Sequence, residues 1–161
     1  MLTKGTKNFE GYLAVLLVNS SFEKNNFNMR IITNMLAPKE YESKNESGNI
    51  LNIDMYDSKE KDYMSPMESL LSALASCASV DLVEMIKKRR KELLDLSIVT
   101  TGERKEDHPR AFNKIEMVFK ISSPDLEQEE AEKLVELAAG KYCSVAGTLA
   151  IKASHKVEIK R

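Results

Sequence analysis

The chain has 161 residues, 42% hydrophobic and 30% charged, with a formal net charge of −1. That length suits one domain able to bury roughly two thirds of the surface its unfolded form exposes. Near-zero charge excludes the basic footprint that nucleic acid or an anionic lipid surface requires, so neither nucleic acid nor membrane is expected as a partner, and two cysteines are too few for a secreted disulfide framework and suit a reducing, cytoplasmic setting.

The first apolar run, Tyr12 to Val18, follows Lys4 and Lys7. It is too short to cross a bilayer. Glu10 interrupts its flank and no small-residue cleavage site follows, so a strand or short helix is expected rather than an export signal. Residues 1–47 are expected to form an N-terminal extension of strand or loop, and residues 48–161 the main domain. Within the extension Asn25 to Asn34 reads as a strand and Ala37 to Asn49 as a polar loop. Beyond it Leu51, Ile53 and Met55 alternate with Asn52 and Asp54, the period of a half-buried strand. Tyr56 to Tyr63 is the loop that follows.

Ser65, Pro66 and Glu68 then give a helix start: a capping serine, a proline at the first position and an acid three after the cap. The pattern predicts a helix to about Lys91. Leu70, Leu71, Leu74, Val80, Val83 and Ile86 leave little polar face in its first half, where Ser72, Ser76 and Ser79 are small enough to bury, so the helix is expected inside the molecule. The basic run from Lys87 marks its return to solvent and suits the negative end of the helix dipole.

Leu96 to Gly102 and Lys114 to Ile121 read as strands, the second with Ile115, Met117, Phe119 and Ile121 on one face. The charged loop between them holds His108 and Pro109. Ser123 to Gly140 is an amphipathic helix with acids at its start and Gly140 as its stop. Lys141 to Ala153 reads as a second short helix, and His155, expected to be exposed, opens a final alternating strand. No repeat is present, and the order of elements is α+β rather than a βαβ series.

Cys77 shares a helix face with Leu70, Ala73, Leu74 and Val80. Two readings stand side by side. It is a small buried hydrophobe, inert in apolar surroundings; or it is a nucleophile, because Ala73, Ala75, Ser76, Ala78 and Ser79 supply so little bulk that another element, or a partner's copy of the helix, can approach and leave a slot at the sulfur. Cys143 follows Gly140 at the expected start of the next helix, where unpaired N–H groups favour a thiolate. The spacing does not say whether the sulfurs meet. A zinc set of Cys77, Cys143, His108 and His155 fails on form, since structural sites bring cysteines in close-spaced pairs. With no glycine-rich phosphate loop and no Gly-x-Ser-x-Gly elbow either, neither metal nor cofactor is expected.

Ser65 to Ile86, Gly102 to Phe112 and Lys141 to Leu149, in this order, resemble the OsmC/Ohr family of osmotically induced and organic hydroperoxide resistance proteins, nearest its OsmC-like bacterial branch, over about Gly48 to Arg161. The resemblance implies a curved antiparallel sheet around a long central helix, in an intertwined homodimer with its sites at the interface. It also implies a thiol peroxidase of oxidative-stress defence: Cys77 attacks an organic hydroperoxide, Cys143 resolves the resulting sulfenic acid to a disulfide, and a dithiol reductant reopens it. Well-studied members place a glutamate directly after the helix proline, paired with an N-terminal arginine. Here Met67 occupies that position and Glu68 follows, while Arg30 is the only arginine before the long helix. Glu68 is thus the third candidate catalytic residue, and closure of the capping box is its other reading. The alternative function is a non-enzymatic module holding a small apolar ligand in the interface slot, to which Met55, Met64, Met67 and Met85 would lend adaptable packing.

Overall fold

The structure, a computed structural model, describes residues 29–161. The apolar run from Tyr12 to Val18 lies outside the described residues. Strands β1 (Ile31–Ala37), β2 (Glu40–Asn45) and β3 (Ile50–Asp54) form an antiparallel sheet in that order. β1 and β2 precede residue 48 and β3 follows it. The stretch expected as a polar loop is corrected: Glu40–Asn45 is the middle strand. Its polar side chains read as loop, but pairing on both edges satisfies its backbone, and strand preference depends on such context more than on composition. The turn into β3 is made at Gly48, whose φ of 85° favours a residue without a side chain.

Helix α1 (Pro66–Lys88) starts as the sequence predicts, with Ser65 as cap and both capping-box hydrogen bonds formed. It closes with Arg90 in the left-handed region, φ 57°. β4 (Asp95–Arg104), β5 (Phe112–Ser122) and β6 (Ser154–Lys160) make the second sheet, with β4 and β5 antiparallel and β5 and β6 parallel. Between β5 and β6 run α2 (Gln128–Val135), a π-helical segment (Glu136–Tyr142) and α3 (Ser144–Thr148). The fold is α+β as expected. Among the described residues the strands form two separate three-stranded sheets, and the helical crossover brings β6 in parallel to β5. Gly140 does not stop the helix. It lies inside the π segment, where an added Cβ would stand 3.2 Å from the Glu136 carboxylate.

Leu74, Ala78, Leu82 and Ile86, spaced by four along α1, are buried in one cluster with Ile115, Met117, Phe119 and Ile121 of β5 and with Leu126, Leu134, Val135 and Ala138. The expectation that α1 lies wholly inside is corrected. Among the described residues this stripe alone is fully buried, Leu70, Leu71, Cys77 and Met85 are partly covered, and Val80 on the other side is 66% exposed. Among the described residues α1 alone is long and apolar enough, by length and composition, to cross a bilayer, a test that core helices also pass. The first sheet packs chiefly on itself. It is tied to the start of α1 by buried Asp54, which accepts hydrogen bonds from the backbone N–H groups of Asp62 (2.8 Å) and Tyr63 (2.7 Å), and by a parallel bridge between Ile53 and Met64.

Candidate active site

The π segment delivers Cys143 to α1. Its last turn closes with the Cys143 N–H donating to the Ala138 carbonyl at 3.0 Å, the five-residue step of a π turn. Cys143 is then the cap of α3, its sulfur accepting from the Ala146 N–H at 3.4 Å. The thiol points at α1, toward the Leu74 carbonyl at 3.9 Å. Leu74 lies three residues before Cys77, on the same face. Cys143 is buried, Cys77 half-buried, and both are free thiols.

Burial raises the Cys143 pKa. The N–H groups of Ala146 and Val145 oppose that rise, whereas a hydrogen bond to the Cys77 side chain and the charge there add to it. The expectation that a helix start would favour a thiolate at Cys143 is therefore corrected: removal from water outweighs two backbone donors. A thiol held protonated against Cys77 can donate a hydrogen bond to a sulfur at that position. The structure thus brings together the two cysteines that sequence spacing left unconnected.

Glu68 is placed elsewhere. It stands nine residues before Cys77, about 13 Å along the helix axis. Its Oε2 accepts from the Ser65 N–H (2.8 Å) and hydroxyl (2.6 Å) and pairs with the Lys61 ammonium. Lys61 first, then Ser65, lowers its pKa to about 2. Nothing in the sequence pattern marked Lys61, which reaches Glu68 from the preceding loop.

Among the described residues no group of three or more histidine, cysteine and carboxylate side chains is arranged to hold a metal ion. His155 is half-buried rather than exposed. Its Nε2 lies 2.8 Å from Glu136 Oε2, a pairing that the alternation of β6 did not signal.

Residues 58–160 match the family of the OsmC-like protein. Protein YhfA of Escherichia coli K12 is 37% identical over 97 residues, 59% of this chain and 72% of that protein. A hypothetical protein from Aquifex aeolicus VF5 superposes with a TM-score of 0.68 at 27% identity, covering 83% of this chain and 98% of that one. The organic hydroperoxide resistance protein OhrB of Bacillus subtilis superposes with a TM-score of 0.57 at 20% identity over 84% of this chain and 99% of that one, a likeness of fold alone. The family match spans the long helix, both cysteines and the second sheet, and the chain belongs to the OsmC-like protein family.

Proposed function

We propose that this protein is a cytoplasmic, homodimeric thiol peroxidase that reduces organic hydroperoxides in oxidative-stress defence, with Cys77 as the peroxidatic residue and Cys143 as the resolving one. The observation that carries this reading is the Cys143 thiol, buried against both the Cys77 side chain and the carbonyl of Leu74. The Cys77 thiolate attacks the terminal peroxide oxygen, the O–O bond breaks, and the alkoxide leaves as the alcohol after taking a proton. Cys77 is then a sulfenic acid. Attack by the Cys143 sulfur forms the disulfide and releases the hydroxyl as water, the Cys143 proton balancing it. A dithiol reductant returns both thiols by exchange and is itself oxidised to a disulfide. In this reading Glu68 acts at a distance, as a positioning residue that fixes the start of the helix carrying Cys77.

A homodimer is supported by what the described residues leave uncovered. β1–β3 expose Ile31, Met35, Leu36 and Ile50, and α1 exposes Val80. A three-stranded sheet draws its stability from a covered apolar face, and here that face is left open by the described residues.

The test follows consumption of cumene hydroperoxide with dithiothreitol as reductant. Cys77→Ser is expected to fall to the uncatalysed rate, and Cys143→Ser to make a trappable sulfenic acid that over-oxidises with excess peroxide. The second reading, a non-enzymatic module for an apolar ligand, draws support from an apolar cleft whose lining includes neither cysteine. It predicts slow oxidation of either thiol and no loss when Cys77 is replaced.

A further inference from the structure

That cleft, about 430 Å³, opens between the first turns of α1, the β4–β5 connection and the segment after α3. Its volume is within the range of small-molecule sites. Met67, Leu70, Phe112, Ile115 and Ile151 give it apolar walls. The Phe112 ring is seated on Gly102, where an added Cβ would lie 2.4 Å from it, so a side chain there would displace this wall. The lining also holds two exposed arginines, Arg104 and Arg110. Arg104 Nε donates to the Arg110 carbonyl at 2.7 Å, which ties the two together and leaves the terminal nitrogens of Arg104 available. Neither guanidinium is in an ion pair among the described residues, although neighbouring Glu103 is paired with Lys114.

Two permanently charged planar donors beside an apolar trough match an oxyanion, carboxylate or phosphate, that carries a hydrocarbon chain. We propose that this cleft binds an amphipathic anion, its chain along Leu70, Phe112 and Ile115 and its oxyanion on Arg104 and Arg110. The inference needs neither thiol and holds under either reading above. Leu70 is one helical turn before Leu74, whose carbonyl faces Cys143.

The test is calorimetric titration of the full chain with sodium octanoate, octanol and sodium acetate, none of which contains a peroxide bond. Octanoate is expected to bind once per chain and to weaken with added salt. Octanol should bind roughly tenfold or more weakly, the loss of a charge-assisted contact, and acetate not measurably. Arg110→Gln should lower octanoate affinity about tenfold and leave octanol unchanged, and Cys77→Ser should bind octanoate like the parent. Equal binding of octanoate and octanol would overturn the proposal by making the site purely apolar. Binding of neither would overturn it as well, the result expected if a second copy or residues 1–28 fill the cleft. Should Arg110→Gln fail to fold, the contrast between octanoate and octanol on the parent still decides. Because peroxide consumption is not read, loss of the peroxidase reading leaves this outcome unaffected.

Discussion

At Cys143 burial and backbone donors pull the thiol in opposite directions, and burial wins, with Cys77 adding to the rise. A raised thiol pKa favours the neutral folded form. Its contribution to stability is complete below the ordinary value of 9.0 and is lost as pH climbs through the higher folded value. In Cys77→Ala the added rise disappears, so the pH at which Cys143 reacts with iodoacetamide should move down relative to the parent. An unchanged profile would separate the two thiols. Glu68 runs the other way. Its carboxyl is held at about 2 against an ordinary 4.5, so its contribution is present above pH 4.5 and lost as pH falls toward 2. Urea unfolding of the parent and Glu68→Gln should therefore differ near neutrality and converge across that window. Because Glu68 is about half exposed, solvent screening keeps the difference small.

At the scale of elements, α1 joins a clear start signal in the sequence to one fully buried stripe. Ser65→Ala removes an oxygen that receives the Glu68 N–H and should cost about 1 kcal/mol in denaturant unfolding. Leu82→Ala opens a cavity at a fully buried position and should cost roughly 3 kcal/mol. These two sites show what was legible: the cap is written in Ser65, Pro66 and Glu68, and the buried face of β5 in the alternation of Ile115, Met117, Phe119 and Ile121. β2 was not legible, because Glu40–Asn45 is held by its neighbours' backbones rather than by a hydrophobic face. Nor was the π segment. Gly140 carries the signature of a helix stop, but the chain instead takes an extra residue in the turn and carries Cys143 onto α1. The meeting of the two cysteines depends on that turn, which no local spacing encodes.

At the scale of the molecule, exposed apolar side chains of the described residues gather on β1–β3 and on the outer side of α1, with others at Leu94, Val99 and Tyr142. The proposed partner covers both, and sedimentation at micromolar concentration should give a dimer. Val80→Lys, which puts a charge on the exposed side of α1, should shift that dimer toward monomer without disturbing the buried stripe at Leu74, Ala78, Leu82 and Ile86. The central claim, that the fold pairs an attacking and a resolving thiol in each chain, is tested most directly by one measurement: mass analysis after alkylation of reduced protein treated with one equivalent of cumene hydroperoxide. The account predicts a disulfide between Cys77 and Cys143 of the same chain, absent from Cys77→Ser. Two thiols that both remain open to alkylation, or a Cys77→Ser protein that consumes the peroxide as fast as the parent, would contradict it.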